Sequence, residues 1–322
     1  MFYRKLRRLK DYNISEPIIG NLKKILGEVS KERVSPLLIA KKLDVNVDLA
    51  FHICLSLVKE GLASIKYEIT CPECSTDMVV VDSLRKLPKG EIICDVCGEC
   101  FVPTHDDIWV VFDFFHVEEK VVGEKKKISA RRGIKIKNAF DNSLFSQIID
   151  DDLFQIDREK LKELLDAIET ARSNKEKKKS LEDLAEYLFS SIYGVRVIGR
   201  NVRTETSEID LVLEFDHWIY GIHPFFKEVG SHFMVECKNW KKPVGAQKIR
   251  NFSRDIKKRK VTFGCLISKE GITRDAYKEI RDVFIGEGQI IIILSKKDIE
   301  NVIKGKNLIE ILKEKYRNIK FS

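Results

Sequence analysis

The sequence predicts a multidomain chain of mixed helices and strands, ending in an α/β domain in which helices flank a mixed sheet. At 322 residues, the chain is long enough for several domains that each bury an apolar core. Helical and strand-like periodicities alternate in the last part, whereas two C-x-x-C pairs lie in the first half. These observations divide the chain into four parts, at residues 1–66, 67–115, 116–174 and 175–322.

Periodic segments in the last part follow the order helix, strand, strand, strand, helix, strand. The first helix-like segment covers residues 180–192, where apolar residues recur at helical spacing and Ser180 is the expected N-cap. Strand-like runs at residues 208–215 and 231–238 follow, and each places alternate side chains on one face.

Acidic residues and a lysine fall within these two strand-like runs. Asp210 lies in the first run, and Glu236 and Lys238 of the second point the same way because they are two residues apart. Carboxylates at the end of a sheet can hold Mg²⁺, and a nearby ammonium can orient a water, as phosphodiester hydrolysis requires. Taken alone, a Glu-x-Lys motif more often marks an exposed surface ion pair than a catalytic site.

The ordered set of segments resembles the PD-(D/E)XK nuclease superfamily, most closely its Mrr-like restriction endonuclease branch. The matching stretches are LEDLAEYLF, EIDLVLEF, VECKNW, AQKIRNF and FGCLISKEGITRDAY, all within residues 175–322. The resemblance implies a restriction-endonuclease-like mixed sheet and an active site that uses Mg²⁺ or Mn²⁺. It further implies that Asp210, Glu236 and the backbone carbonyl of Cys237 are metal ligands, and that Lys238 positions the attacking water or stabilises the phosphate.

Two further catalytic roles follow from the same resemblance. Glu182 matches the acidic residue of the first helix that orients the metal site, and Glu186, one turn away, is the alternative. Gln247 matches a glutamine that supports the lysine and contacts the DNA backbone. Residues 216–230 are an insertion relative to the family pattern, and we expect a hairpin there. That segment either extends a strand under its own apolar cover or presents aromatic residues to nucleic acid or a partner.

The charge distribution favours a polyanionic partner. The formal net charge is +8, and ten of the basic residues lie between Lys238 and Lys260, beside a single acid. A solvated helix face is the alternative explanation for this cluster. The residues predicted to contact nucleic acid are Lys241, Lys242, Lys248, Arg250 and Arg254. No apolar run is long enough to cross a bilayer and the start lacks an apolar signal core, so we expect a cytoplasmic protein without membrane contact.

Four cysteines predict a structural zinc ribbon. Cys71 and Cys74 form one C-x-x-C pair and Cys94 and Cys97 the other, with nineteen residues between the pairs. Two such pairs supply the four thiolates that Zn²⁺ binds in a tetrahedron. Free or redox-active thiols are the alternative, and Cys100 is a possible rival of Cys97.

The first 66 residues resemble a winged helix-turn-helix domain. Three short helix-like segments precede a strand-like run, and the third, residues 47–59, would be the recognition helix. Its only cation is Lys59, so the module either contacts DNA or serves protein interaction and dimerisation. Residues 116–174 read as a basic linker and a connecting helix.

The sequence therefore favours a Mg²⁺-dependent endonuclease that cuts DNA in restriction or phage defence, with the N-terminal half as a targeting or regulatory module. The resemblance implies a homodimer, because such nucleases often pair two active sites to cut two strands. Cleavage of RNA is a variant of this prediction. The alternative is a non-catalytic regulator that binds DNA or a protein partner through the winged helix and the zinc ribbon.

Overall fold

The structure is a computed structural model, and it describes residues 2–28, 33–115, 133–203, 208–238 and 242–321. The chain divides into two compact units, Met1–Asp152 and Leu153–Ser322. The predicted multidomain organisation with helices and sheets is confirmed, whereas the finer division into four parts stays a prediction. No helix within the described ranges is long and apolar enough to span a membrane.

The first unit begins with short helices whose ends are set by local capping. They are α1 (Phe2–Arg7), a 3₁₀ segment (Arg8–Tyr12), α2 (Glu16–Glu28), α3 (Pro36–Leu43) and α4 (Val47–Lys59). The Ser35 side chain caps α3 by accepting a hydrogen bond from the Leu37 amide at 3.1 Å. The Asn46 side chain does the same for α4, with the Leu49 amide at 2.8 Å. The helix predicted at residues 47–59 is therefore present with its predicted bounds.

A four-stranded antiparallel sheet completes the first unit, in the order β2-β1-β5-β6. Its strands, and those of a separate two-stranded hairpin formed by β3 and β4, are β1 (Ala63–Thr70), β2 (Asp77–Val81), β3 (Ile92–Ile93), β4 (Cys100–Phe101), β5 (Ile108–Phe114) and β6 (Ile134–Lys135). Strand β1 alternates buried and half-buried residues, as expected of a sheet with one face on a core. Helices α5 (Ile136–Ala139) and α6 (Ser143–Leu153) follow. The winged-helix interpretation of this unit stays a prediction.

The second unit contains a five-stranded mixed sheet flanked by helices, as the sequence predicts. Its strands follow the order β11-β10-β9-β8-β7, with β9, β10 and β11 parallel and β7 and β8 antiparallel to their neighbours. The elements are α7 (Arg158–Thr170), α8 (Asn174–Ser190), β7 (Val195–Arg203), β8 (Glu208–Phe215), α9 (His217–Ile222), α10 (Pro224–Val229), β9 (His232–Lys238), α11 (Ala246–Lys258), β10 (Phe263–Ser268), α12 (Arg274–Glu287), β11 (Ile290–Ser295), α13 (Lys296–Ile303) and α14 (Leu308–Phe321).

A glycine in β10, Gly264, allows α11 to pack closely on this sheet. Every residue of β10 is buried. A Cβ atom on Gly264 would lie 2.4 Å from the Cδ1 atom of Ile256 and 2.7 Å from the ring of Phe252. The absence of a side chain at this position therefore sets how near the basic helix α11 approaches the strands.

The predicted start of α8 is wrong. Ser180 lies within α8 and is not its N-cap, because the helix begins two turns earlier, at Asn174. Ser173 caps it instead, in a capping box with Glu176 whose side chain accepts hydrogen bonds from the Ser173 and Arg172 amides. The lysine run at residues 175–179 is consequently helical.

The predicted hairpin in the insertion is also wrong. Residues 217–229 form the two short helices α9 and α10, and Pro224 starts the second. Phe225 and Phe226 are buried, and the Phe226 ring stacks on Phe215 of β8 with ring centroids 4.5 Å apart. The apolar cover exists, but it is helical and packs inward. These two aromatic side chains therefore stabilise the fold and are not presented to nucleic acid.

Candidate active site and metal centres

Strands β8 and β9 bring the first two acidic residues together. Leu211 pairs with Val235 across the antiparallel ladder, so Asp210 and Glu236 occupy the next pair of positions. The Asp210 side chain is buried, and its Oδ2 accepts a hydrogen bond of 2.7 Å from the backbone amide of Cys237. Asp210 is thereby fixed by the main chain of the neighbouring strand.

Glu236 and Lys238 lie on the same face of β9, as the period-two spacing predicts. Glu236 Oε1 forms an ion pair with the Lys238 ammonium. Among the described residues, the other carboxylate oxygen of Glu236, Oε2, is buried and has no hydrogen-bond partner. Burial and the nearby charge of Asp210 raise the pKa of Glu236 to about 7, although Lys238 opposes the rise.

Helix α8 contributes Glu182 to this cluster. The Glu182 side chain is buried, and its Oε2 accepts a hydrogen bond of 3.1 Å from the Asn201 amide group of β7. Glu186, the alternative, forms an ion pair with Arg200 of β7. Of the two glutamates, Glu182 is the one that shares a cationic partner with Asp210.

That shared partner is Lys178, which the sequence analysis did not identify. Its Nζ atom lies 2.7 Å from Glu208 Oε1, 3.3 Å from Asp210 Oδ1 and 3.5 Å from Glu182 Oε1. Burial lowers the pKa of Lys178, but the hydrogen bond to Glu208 and the charges of Asp210 and Glu182 outweigh it, so the net pKa is raised. The spacing of four residues between Lys178 and Glu182 would have indicated the contact, had the helix been extended to include it.

The remaining predicted residues lie on or near α11. Gln247 is exposed and contacts two residues of its own helix, Asn251 and Arg250, each at 3.1 Å. Arg250 also forms an ion pair with Glu279 of α12, so part of the cationic surface is neutralised. Lys242, Lys248 and Arg254 are exposed, and Lys241 lies outside the described residues. The roles of these residues in binding nucleic acid stay predictions.

The oxygen-rich cluster has the chemistry of a site for a hard divalent cation. Mg²⁺ and Mn²⁺ bind carboxylate and carbonyl oxygens, which Asp210, Glu236 and the Cys237 carbonyl can offer. The orphaned Oε2 of Glu236 is a buried acceptor that such a cation would satisfy. The thiol of Cys237 is buried. Its burial, and to a lesser extent the charge of Asp210, raise its pKa well above the ordinary value, so the thiol stays protonated.

Four cysteines of the first unit form a separate cluster. The Sγ atoms of Cys71, Cys74, Cys94 and Cys97 all lie within 4.8 Å of one another. Two of these separations are 3.5 Å and 3.6 Å, close to the roughly 3.8 Å edge of a tetrahedron with Zn–S distances of about 2.3 Å. Cys100 instead contacts Glu91, so the structure gathers Cys97 and not its rival.

The two C-x-x-C turns are built alike. The Ser75 amide donates to the Cys71 carbonyl and the Gly98 amide to the Cys94 carbonyl, at 2.9 Å and 2.8 Å. Ser75 and Gly98 occupy equivalent positions and both have positive φ, 57° and 77°. Hydrogen bonds with Thr76 lower the pKa of Cys74 to about 6, which favours its thiolate. A backbone hydrogen bond at Glu99 lowers the pKa of Cys97, but burial and the hydrogen bonds with the other three thiols outweigh it and raise the pKa to about 12. Zinc binding would require the loss of this proton as well.

Comparisons with known proteins bear on the second unit. Residues 173–303, which include Asp210, Glu236 and Lys238, match the family model described as restriction endonuclease. No curated protein gives a significant match to the chain.

Two solved structures are similar to this chain at low identity. The crystal structure of a protein of unknown function is 22% identical, covers 37% of this chain and 55% of its own length, and has a TM-score of 0.22. The DNA modification-dependent restriction endonuclease AspBHI is 16% identical, covers 71% of this chain and 60% of its own, and has a TM-score of 0.31. The chain thus spans less than two thirds of the length of either.

Proposed function

We propose that this chain is a metal-dependent endonuclease that hydrolyses phosphodiester bonds of DNA, because residues 173–303 match the family model described as restriction endonuclease. Restriction or phage defence is the setting that this match favours. The observation that carries the proposal is the gathering of Asp210, Glu236, Lys238 and Glu182 at one end of the sheet. Carboxylates and an ammonium in one cluster supply the groups that phosphodiester hydrolysis needs.

The metal-holding residues in this proposal are Asp210, Glu236 and the carbonyl of Cys237. When bound, Mg²⁺ or Mn²⁺ would neutralise developing charge on the phosphate and make a nearby water more acidic. The hydrogen bond from the Cys237 amide holds Asp210 rigid. Lys238, kept on the same face by its ion pair with Glu236, orients the attacking water or stabilises the phosphate charge. Glu182, buried in α8, orients the cluster from the helix side.

The basic side of α11 and its preceding loop would contact the DNA backbone. Lys242, Lys248 and Arg254 are exposed there, and Lys241, Arg250 and Gln247 complete the proposed contact set. Side-chain cations that neutralise phosphates make binding fall steeply with rising salt. Because Arg250 is paired with Glu279, we expect it to contribute less than Arg254.

The first unit would target or regulate the nuclease. Its cysteine cluster would hold a structural Zn²⁺ that ties the β3–β4 hairpin to the turn between β1 and β2. The N-terminal helices would then meet DNA or a protein partner. A homodimer would allow two active sites to cut two strands.

Cleavage assays test this proposal. Supercoiled plasmid, linear duplex DNA and single-stranded RNA would each be incubated with Mg²⁺, with Mn²⁺ and with a chelator. Lys238→Ala should abolish metal-dependent cleavage, whereas Lys227→Ala, an exposed lysine on α10, should cut like the wild type. Equal cleavage by Lys238→Ala and the wild type would refute the assignment of the site.

The substrate that is cut discriminates between the remaining alternatives. Cleavage confined to RNA would identify an RNA nuclease. Salt-sensitive DNA binding without cleavage of any substrate would favour a non-catalytic regulator that uses the first unit.

A further inference from the structure

The ammonium group of Lys178 lies within the carboxylate cluster. Its ammonium has three carboxylate neighbours, from Glu208, Asp210 and Glu182, and a fourth oxygen, Asn201 Oδ1, at 3.3 Å. The oxygens come from α8, β7 and β8, so the ammonium joins three elements that surround the site. This arrangement of oxygen ligands is the kind that a metal cation also prefers.

Lys178 contacts the one carboxylate oxygen of Asp210 that the backbone hydrogen bond does not use. Asp210 Oδ2 accepts the hydrogen bond from the Cys237 amide at 2.7 Å, whereas Asp210 Oδ1 faces the Lys178 ammonium at 3.3 Å. Each oxygen of this buried carboxylate therefore already has a positively polarised partner. A divalent cation that binds at Asp210 Oδ1 meets the lysine in the same place, and two cations cannot share that position without strong repulsion.

The Lys178 side chain is able to move away from Asp210. Its side chain is 46% exposed and long, so it can reach water without any movement of the helix. Its shortest contact is with Glu208, at 2.7 Å, and the Glu208 side chain is more exposed than that of Asp210, 29% against 5%. Glu208 can therefore keep its ion pair with the Lys178 ammonium after the contact with Asp210 is broken.

We propose that Lys178 is an internal counter-ion that occupies the carboxylate cluster in the metal-free enzyme and competes with the divalent metal for Asp210. Metal binding then displaces the lysine from Asp210 towards Glu208. The inference rests on the proposed function in one respect, because it requires Asp210 to be a metal ligand.

The competition between Lys178 and the metal can be tested by measuring metal affinity, without a cleavage assay. Mn²⁺ affinity would be measured by electron paramagnetic resonance on zinc-loaded full-length protein, for the wild type, Lys178→Met, Lys178→Arg and Lys179→Met. Lys179 is the matched control, because it is an exposed lysine on the same helix turn. Lys178→Met should bind Mn²⁺ about tenfold more tightly, a gain of about 1.4 kcal/mol. Lys178→Arg and Lys179→Met should stay close to the wild type.

An Asp210→Asn variant separates the two ways in which this could fail. If Asp210→Asn binds Mn²⁺ as tightly as the wild type, the metal site is wrong, and the proposed function fails together with the competition. If Asp210→Asn loses binding but Lys178→Met binds no more tightly than the wild type, only the competition is overturned.

A second measurement needs no destabilising variant. The ¹⁵N-labelled ammonium of Lys178 in wild-type protein, assigned by comparison with Lys178→Arg, would be followed by NMR during a Mg²⁺ titration. Displacement should speed its hydrogen exchange towards that of an exposed lysine as the site saturates. An ammonium signal that does not change at saturating Mg²⁺ would contradict the proposal.

Discussion

Glu236→Gln should make the metal-free second unit more stable at alkaline pH and have much less effect at acidic pH. The pKa of Glu236 is raised from an ordinary 4.5 to about 7 by burial and by Asp210. Between these two pH values the folded protein holds a proton that the unfolded chain has lost. The stability from this protonated carboxyl is therefore fully present below about pH 4.5 and is lost as the pH rises through about 7.

The size of the effect follows from the difference between the two pKa values. Each unit of pKa corresponds to about 1.4 kcal/mol, so ionisation of Glu236 in the folded state costs up to about 3 kcal/mol. Glutamine keeps the shape of the side chain and cannot ionise. Between pH 5 and pH 8, the free energy of unfolding of the variant should therefore rise relative to that of the wild type by up to about 3 kcal/mol, because this one titration has been removed.

Hydrogen exchange in urea, read by mass spectrometry on peptides from β8 and β9, would report the stability of this unit separately from the first. The buffers would be free of Mg²⁺ and Mn²⁺, with zinc left in place. Glu208→Gln is the matched control, because hydrogen bonds to Lys178 lower the pKa of Glu208 and reverse the sign of its pH dependence. A difference between Glu236→Gln and wild type that does not vary from pH 5 to pH 8 would refute the reasoning.

Further predictions concern the rest of the site and its supports. Glu182→Gln should lower the cleavage rate at least about tenfold more than Glu186→Gln, as read by single-turnover cleavage, because Glu182 shares the Asp210 cluster. Cys71→Ser should reduce bound zinc, measured by atomic absorption, and loosen the β3–β4 hairpin while leaving the nuclease site intact. Phe226→Ala should destabilise the second unit by about 3 kcal/mol or more in urea unfolding, because the removed ring is fully buried. Arg254→Ala should make the slope of log K for DNA binding against log salt shallower by about one, as measured by fluorescence anisotropy.

The order of helices and strands in the second unit was predictable because each element has its own periodicity. Asp210, Glu236 and Lys238 could be grouped from the sequence, since period-two spacing fixes which side chains share a face. The two cysteine turns could be recognised for a similar reason, because the spacing within each pair is local and chemically restrictive. Such features depend on near neighbours in sequence, which the chain itself specifies.

Features that depend on competition or on distant contacts could not be predicted in this way. Ser180 is a suitable N-cap by residue type, but Ser173 has the partner Glu176 that completes a capping box. The form of the insertion was decided by the stacking of Phe226 on Phe215, a tertiary contact that periodicity does not contain. The pairing of Arg250 with Glu279 similarly joins two helices and removes charge from a surface that looked uniformly basic in sequence.

The charges of the site are close to balanced without a metal ion. Four carboxylates, from Glu182, Glu208, Asp210 and Glu236, meet three cations: the ammonium groups of Lys178 and Lys238, and the guanidinium of Arg203, which lies 3.0 Å from Glu208. If all seven groups are ionised, the cluster carries one excess negative charge. The raised pKa of Glu236 acts against this excess, because a retained proton removes the one surplus negative charge.

The same balance ties the lysine to the metal. A divalent cation that enters the cluster adds two positive charges, so the proton on Glu236 and the ammonium at Asp210 both become surplus. Release of the proton and withdrawal of Lys178 are therefore two consequences of one electrostatic requirement. In the proposed nuclease, Lys178 and the proton on Glu236 keep the carboxylate cluster close to neutral without the metal, and both are displaced when the metal binds.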